Sequence, residues 1–269
     1  MNNSVLSVLN VRVFGNGPRV LVLTQTVGAD QSVWRRVLPH LVVHHRVVAY
    51  DLVASGSVSP ASYNRERYFT IDGYVDDLFQ ILDHLGVQQC VFIGQSFSSM
   101  IGMLAAVRRP QLITKLILFS ASPRFENLPG EYNYGGGVFN REEVLSLRNA
   151  LVTNYIDYAY RRAPPLAGPH QLPEAVQDFS HPFFNMLPSI ALDAFITVFG
   201  TDLRDMLPWV RAPCVLVQSG FTCTPATSYL LEHLGGPTTV RFLRIRCHMP
   251  QVRRPERIAT LLLNVLEDN

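Results

Sequence analysis

The pentapeptide Gly94-Gln95-Ser96-Phe97-Ser98 is the part of the sequence whose residue types and spacing point most directly to catalytic chemistry. It follows an apolar run that ends at Gly94 and leads into a helical pattern from Met100 to Ala106. A serine between a strand and a helix is the arrangement of a nucleophile elbow, G-x-S-x-G. Ser98 replaces the last glycine and is small enough for the tight turn. We therefore predict Ser96 as a nucleophile.

A serine nucleophile needs a general base, and we predict His248 for this role. His248 follows an apolar run, Val240–Ile245, and precedes a helical pattern that begins near Pro250. This position agrees with the chain order serine, acid, histidine that accompanies the elbow motif. The acid should accept the N–H of His248, fix its tautomer and stabilise the imidazolium ion.

The acid itself is missing from the positions where it is expected. The segment that follows the apolar run Pro213–Gln218 contains no carboxylate, and no Asp or Glu occurs between Asp205 and Glu232. The alternative place, after the run that ends at Phe119, offers only Ser120, Ala121 and Ser122. The sequence thus predicts a serine and a histidine without their carboxylate partner.

An oxyanion hole beside Ser96 would use two backbone amides. One is that of Phe97, and the other comes from the loop after the apolar run Val20–Leu23. In this loop Val27 can supply its amide, because any residue except proline can. Thr26 stands where a glycine would let the loop approach closely, so the expected geometry is altered here.

Short apolar runs alternate with helical patterns along the chain, which indicates βαβ units and an α/β fold with a mostly parallel sheet. The predicted strands are Val20–Leu23, Arg46–Tyr50, Cys90–Gly94, Leu116–Phe119, Pro213–Gln218 and Val240–Ile245. Continuous Val, Ile and Leu runs are typical of strands that are covered on both faces. Two helical faces are predicted, one through Val75, Leu78, Leu82 and Leu85, the other through Ile258, Leu261, Leu262 and Val265.

One segment, residues 125–205, interrupts the alternation because it has no strand signal. We predict a helical cap here, inserted in a core formed by residues 1–124 and 206–269. Twelve of the 27 aromatic residues fall between Phe125 and Phe199, so aromatic packing must dominate this segment. The aromatic side chains either pack the cap onto the core or line an apolar ligand pocket, and both can hold for different residues.

Composition narrows the function classes. A formal net charge of +2 does not favour nucleic acid or an anionic membrane as a partner. No apolar run approaches the length of a membrane span, and the first residues do not resemble a signal peptide. The four cysteines show no CxxC spacing, which argues against a zinc site or a disulfide framework and favours a reducing, intracellular compartment. We expect no cofactor or metal.

With these residues in place, the chain resembles the plant strigolactone and karrikin receptors and their bacterial relative, the stress regulator RsbQ. The resemblance covers about residues 10–265 and is most specific in six short segments. These are Asp30-Gln31-Ser32-Val33-Trp34, Tyr50-Asp51-Leu52, Ser122-Pro123-Arg124-Phe125, Phe184-Asn185-Met186, Thr201-Asp202-Leu203-Arg204 and Ala212-Pro213-Cys214. The segment Tyr50–Val58 is most similar to the strigolactone-receptor branch.

The resemblance implies an α/β-hydrolase core with a V-shaped four-helix cap and slow hydrolysis of a butenolide by a Ser-Asp-His triad. It also implies recruitment of an F-box protein and a repressor. We expect a monomer, located in the cytoplasm and nucleus. Ser96 and His248 match the triad, and Val27 and Phe97 match the oxyanion hole. The positions on or near the ligand pocket are Gln25, Phe125, Tyr158, Phe184 and Phe195.

The departures from the family pattern are concentrated at the positions of the catalytic residues. The triad Asp aligns with Thr222, or with Phe221 in a second register, and neither is acidic. Gln95 replaces the histidine of the family's elbow, and Cys247 replaces the glycine before the triad histidine. Three functions remain open: a receptor-like protein that binds a small apolar lactone with weak or absent hydrolysis, a slow serine hydrolase, and an interaction module without a ligand.

Overall fold

A seven-stranded sheet forms the centre of the molecule in a computed structural model, which describes residues 4–127, 138–167, 181–245 and 247–267. Its strands are β1 Arg12–Phe14, β2 Arg19–Leu23, β3 His45–Ala49, β4 Cys90–Gln95, β5 Ile113–Phe119, β6 Cys214–Ser219 and β7 Thr238–Leu243. They lie in the order β1-β3-β2-β4-β5-β6-β7. The predicted α/β fold is confirmed, and all six predicted strands are present with ends shifted by a few residues.

The connections in this sheet are made by helices, as a parallel sheet requires. Their bounds are α1 Val5–Val8, α2 Leu38–Leu41, α3 Arg65–Tyr68, α4 Asp72–His84, α5 Phe97–Arg108, α6 Arg141–Thr153, α7 Tyr155–Ala167, α8 Pro188–Gly200, α9 Pro225–His233, α10 Pro250–Arg253 and α11 Pro255–Glu267. Short 3₁₀ turns occupy Gln31–Trp34, Pro60–Ser62 and Arg204–Trp209. None of the helices in these described stretches is long and apolar enough to span a bilayer.

Only the edge pair of β1 and β3 is antiparallel, and the other neighbours pair in parallel. The sequence did not predict β1, because this strand is three residues long and largely exposed, without a buried apolar run. The continuous apolar runs of the other strands are explained by cover on both faces, since parallel sheets pack helices on each side.

Two hydrophobic clusters lie on the opposite faces of the sheet. Alternate residues of β4 belong to different clusters: Phe92 to one, Val91 and Ile93 to the other. Helices α4 and α5 contribute to the first cluster, and α11 contributes to the second. The two predicted helical faces are confirmed, because Val75, Leu78, Leu82, Ile258, Leu262 and Val265 are all buried.

The chain between β5 and β6 forms a helical insertion, of which α6, α7, α8 and the helical residues 181–185 are described. Asn140 caps α6, and Glu143 completes a capping box, so this helix begins where its local sequence directs. Helix α6 contacts both α7 and α8. Apart from two isolated bridges, no strand occurs in the described part of the insertion. Residues 168–180, which the prediction of four helices also involves, lie outside the described residues.

The insertion leaves and rejoins the core at adjacent points. Arg124 and Asp202 form an isolated antiparallel bridge, and the amide of Leu203 donates to the carbonyl of Pro123 at 2.9 Å. The guanidinium group of the buried Arg124 lies 3.5 Å from the carboxylate of Asp202, which also accepts hydrogen bonds from Arg204. These contacts tie the two chain crossings together.

Candidate functional site

Ser96 occupies the sharp turn between β4 and α5, with backbone angles φ 57° and ψ −119°. Such angles are costly for a residue other than glycine and persist only where the surroundings enforce them. The amide of Ser96 donates to the carbonyl of Phe119 at 2.8 Å, and its own carbonyl accepts from the amide of Ser99 at 2.8 Å. The strained serine at the carboxyl end of a central strand has the backbone form of a nucleophile elbow.

Small residues allow this turn, as the sequence predicted. A Cβ atom on Gly94 would lie 2.8 Å from the carbonyl oxygen of Ser98, closer than real side chains come. Ser98, which replaces the last glycine of the motif, is fully buried and donates its hydroxyl to the carbonyl of Gln25. The substitution is therefore accommodated, and it adds a link between the elbow and the loop after β2.

Besides the bond from Ser98, the loop after β2 is held by hydrogen bonds to β4 and to the chain that follows β3. Thr24 donates its amide to the carbonyl of Ile93 at 3.0 Å, and the buried side chain of Gln25 donates to the carbonyl of Tyr50 at 3.1 Å. Gly28 has a positive φ of 81° and donates its amide to Ala54 at 2.8 Å. The loop thus approaches the elbow although Thr26 stands where a glycine was expected.

The two backbone amides predicted for the oxyanion hole belong to the loop after β2 and to the start of α5. Val27 lies in the loop after β2 and is half-buried. Phe97 is the first residue of α5, so its amide belongs to the group at the helix start that has no acceptor within the helix. The roles of Val27 and Phe97 stay predictions that this arrangement makes possible.

His248 lies in the loop between β7 and α10 and is half-buried. Its carbonyl oxygen accepts a hydrogen bond of 2.7 Å from the side-chain amide of Gln95, the residue before Ser96. The loop continues into Met249, which is fully buried, and into α10. The fold therefore brings the backbone of the predicted base next to the elbow, as the chain order of the motif requires.

The loop after β6, where the acid was expected, is organised without a carboxylate. The oxygen of the Gln218 side chain accepts from the hydroxyls of Thr224 and Thr227, and its amide donates to the carbonyl of Ser219 at 2.7 Å. Thr222 and Phe221, the two positions aligned with the missing Asp, are both exposed. Amide and hydroxyl groups thus hold this loop, and none of them carries the negative charge that stabilises an imidazolium ion.

The insertion covers the same edge of the sheet. Helix α7 lies against α10, directly after His248. The ring of Phe183 packs on Gly28, where an added Cβ atom would lie only 2.5 Å from the ring atom Cζ. A Cβ atom added to Gly56, in the loop after β3, would lie 1.8 Å from the carbonyl oxygen of Pro182. The insertion therefore covers the loops after β2 and β3 and contacts helix α10, which follows the loop of His248.

Phe183 is a residue of the insertion that contacts a core loop and that the sequence did not single out. Its carbonyl accepts a hydrogen bond from the hydroxyl of Tyr155 on α7. Burial raises the pKa of the Tyr155 phenol, so the group stays protonated and can donate this bond. Nothing in the sequence distinguishes Phe183 from its neighbour Phe184, which was predicted instead, because the contact with Gly28 exists only in the fold.

The predicted pocket aromatics are placed in two groups. Phe125 and Phe195 are buried and both contact Phe199, with ring centroids 6.3 and 4.3 Å apart. Tyr158 is half-buried and stacks on Tyr155, with centroids 6.5 Å apart. Phe184 is half-buried on the segment that contacts the core loops. Packing within the insertion thus accounts for part of the aromatic content, and lining a ligand pocket stays a prediction for these residues.

In the described stretches of the chain, no group of three or more His, Cys, Asp or Glu side chains is placed to hold a metal ion. The four cysteines are free thiols. Cys247, next to His248, is buried, and this burial raises the pKa of its thiol, so the thiolate form is disfavoured there.

The sheet order, the strained serine after β4 and the histidine after β7 define a protein of the α/β-hydrolase class. The family model of the alpha/beta hydrolase fold matches residues 19–140. Among solved structures, a hydrolase from Oleispira antarctica is similar, with a TM-score of 0.88, 28% identity and coverage of 98% of this chain and 97% of that one. A bromoperoxidase from Bacillus anthracis, at 17% identity, shares the fold with a TM-score of 0.85 over 96% of this chain and 95% of that one.

The chain belongs to the family of strigolactone esterases and karrikin receptors. It is 44% identical over 267 residues to a strigolactone esterase of Arabidopsis thaliana, covering 98% of each chain. A strigolactone esterase of Pisum sativum is 44% identical over 262 residues, covering 96% of this chain and 97% of that one. Karrikin insensitive 2 receptor IA of Petunia hybrida is 39% identical over 264 residues, 97% of this chain and 95% of its own. The resemblance predicted from sequence segments is confirmed.

Proposed function

We propose that this protein binds a small apolar lactone of the strigolactone or karrikin type under its insertion and signals through protein partners, with weak or absent hydrolysis. The observation that carries the proposal is the combination at one edge of the sheet. A strained Ser96 and the loop of His248 lie at the edge of the sheet where Phe183 and Pro182 of the insertion contact the loops after β2 and β3, while the loop after β6 has no carboxylate. The covered edge of the sheet supports ligand binding, and the missing carboxylate supports weak or absent turnover.

In this proposal, different segments of the chain supply the reactive residues and the cap. Residues 1–124 and 206–269 form the core that supplies Ser96 and His248, and residues 125–205 form the cap. The pocket wall comes from Gln25, Phe125, Tyr158, Phe184 and Phe195, to which we add Phe183. The proposed partners are an F-box protein and a repressor, met in the cytoplasm and nucleus by a monomeric receptor, as the family resemblance implies.

The affinity expected for such a ligand follows from its buried area. Burying about 200 Å² of apolar ligand surface contributes on the order of 5 kcal/mol before ordering costs, and one or two polar contacts add to it. Dissociation constants between about 10 μM and 1 mM, roughly −7 to −4 kcal/mol, are therefore expected. Signalling requires that the ligand binds one arrangement of the cap more tightly than another, because a ligand with equal affinity for both shifts nothing.

Purified protein incubated with a fluorogenic butenolide tests the proposal, read for turnover and for the ligand-induced change in melting temperature. Calorimetric titration with strigolactone-type and karrikin-type lactones supplies the affinities. We expect binding with at most very slow turnover. Dissociation constants above about 1 mM for both classes, equivalent to roughly −4 kcal/mol, would refute the receptor proposal and favour an interaction module without a ligand.

A slow serine hydrolase is the second candidate, and the backbone strain stored at Ser96 favours it, since strain of this kind is kept at working sites. Steady multiple turnover of the butenolide, lost in Ser96→Ala, would support this alternative. A single turnover followed by a stable adduct would support the receptor proposal, because the ligand would then remain on the protein.

A further inference from the structure

One hydrogen bond joins the strand of the predicted nucleophile to the loop of the predicted base. Gln95 is the last residue of β4 and is fully buried. Its Nε2 atom donates to the carbonyl oxygen of His248 at 2.7 Å, across 153 residues of sequence. A carbonyl oxygen can only accept, so the side chain is oriented with its nitrogen toward His248. The bond therefore defines how far the main chain of His248 lies from the elbow.

The rest of the Gln95 side chain has no competing anchor. Its Oε1 atom is buried and, among the atoms of the described residues, has no hydrogen-bond partner. The backbone of the neighbouring Ser96 is fixed in turn by the 2.8 Å bond from its amide to Phe119. A rigid path thus runs from the sheet through Gln95 to His248. Removing the donor would leave the partly buried carbonyl of His248 without this partner, at an energetic cost.

We propose that Gln95 is a positioning residue, whose amide holds the loop of His248 at the distance from Ser96 that proton transfer needs. The inference rests on the assignment of Ser96 and His248 as nucleophile and base. In a complete triad a carboxylate orients the histidine ring. Here the loop after β6 supplies no carboxylate, so the main-chain restraint from Gln95 carries more of the alignment. Misplacement by about 1 Å can cost about 100-fold in rate.

Three variants separate this role from a merely structural one. Gln95→Leu keeps the volume and removes the donor. Gln95→Glu keeps the shape and presents an acceptor to the His248 carbonyl, unless the carboxyl group is protonated and donates its own O–H. Gln251→Leu is the matched control, because Gln251 is equally buried on α10 but its amide reaches only the sulfur of Met249, at 3.7 Å.

The main measurement is the rate at which a fluorophosphonate labels Ser96, since this reaction reports activation of the serine without needing turnover. We expect Gln95→Leu to label about 10-fold to 100-fold more slowly than the wild type at every pH. For Gln95→Glu, the ratio of its rate to the wild-type rate should rise as the pH falls from about 8 to about 6, because burial raises carboxyl pKa values. Gln251→Leu should label at the wild-type rate.

Solution NMR of the histidine rings provides a second readout that needs no reactivity. The chain has eight histidines, and His248 is assigned by the signal that is lost in His248→Asn. We expect the His248 signals to broaden or shift in Gln95→Leu and to stay in place in Gln251→Leu. Melting temperatures show that each variant is folded.

The inference is overturned if Gln95→Leu labels at the wild-type rate. If the wild type does not label at all, the NMR readout decides, and the inference is overturned when Gln95→Leu and the wild type show the same His248 signals. Lactone binding, measured by thermal shift on the same variants, is a separate test of the proposed function. A wild type that labels but binds no lactone defeats the receptor proposal and leaves the role of Gln95 standing.

Discussion

Replacing Gly28 by Ala should destabilise the protein through two effects, a backbone cost and a steric clash, which can be measured separately. The first is the positive φ of 81°, a conformation that costs a residue with a Cβ atom about 1–2 kcal/mol. The second is contact, because the new Cβ atom would lie 2.5 to 2.8 Å from three ring atoms of Phe183. Forcing the ring or the loop aside costs about 1–3 kcal/mol. Gly28→Ala should therefore lower the free energy of unfolding by about 2–5 kcal/mol.

Two comparisons isolate the contact. Gly86 also has a positive φ, of 64°, but nothing lies within 4 Å of an added Cβ atom, so Gly86→Ala should show only the conformational cost of about 1–2 kcal/mol. In a Phe183→Ala background the ring is gone, and Gly28→Ala should cost about the same as Gly86→Ala. The double-mutant cycle between positions 28 and 183 should thus give a coupling energy of about 1–3 kcal/mol.

The assay is urea unfolding followed by circular dichroism, with a common slope for all variants so that midpoints can be compared. Phe184→Ala serves as a matched background, because this neighbour is also half-buried, while the three atoms nearest to a Cβ atom on Gly28 all belong to Phe183. Equal costs of Gly28→Ala in the Phe183→Ala and Phe184→Ala backgrounds would refute the reasoning. The ring of Phe183 would then not be pinned on the loop after β2.

Three further predictions concern the chemistry and the base of the insertion. Thr222→Asp should raise hydrolysis at least about tenfold, since losing the triad acid lowers kcat by about 10⁴-fold in serine proteases; no gain from it or from Phe221→Asp, in butenolide assays, would disprove that the acid is limiting. Ser96→Ala should abolish any covalent adduct in mass spectra, and a surviving adduct would identify another nucleophile. Burial alone would raise the pKa of Asp202, but hydrogen bonds from Arg204 and the charges of Arg204 and Arg124 outweigh it and lower the pKa below its ordinary 3.8. The stabilisation from ionised Asp202 is present at neutral pH and is lost as the pH falls through the folded-state pKa. In urea unfolding, the free energy of unfolding of Asp202→Asn should therefore be lower than that of the wild type by about 1 kcal/mol or less at pH 7, and this difference should disappear below about pH 4. A difference that is the same at all pH values would contradict the prediction.

The sequence predicted the elements that are defined by burial. Strands such as β4 and β5 were predictable because a continuous apolar run is typical of a strand that is buried on both faces, as in a parallel sheet. The three-residue β1 was missed, since an exposed edge strand leaves no such pattern. The neighbourhood of Ser96 and His248 was predictable for another reason, namely that successive carboxyl ends of parallel strands meet at one edge.

Contacts between distant loops were beyond reach of the sequence. Gln95 was noted as a departure from a family pattern, but its bond to the carbonyl of His248 depends on how two loops meet in space. Phe183 and Phe184 have the same chemistry, so only the fold shows which ring lies on Gly28. Side-chain roles that arise from tertiary contacts of this kind have no local signal.

The closeness of the two chain crossings at the base of the insertion has a consequence for folding. Strands β5 and β6 are neighbours in the sheet, yet the whole insertion separates them along the chain. The entropic free-energy cost of closing a loop of about 80 residues is only about 2.5 kcal/mol higher than that of a loop of about five, because this cost grows with the logarithm of loop length. The sheet can therefore pair β5 with β6 while the insertion is still unfolded, and the Pro123–Leu203 contact then fixes the point from which the insertion orders.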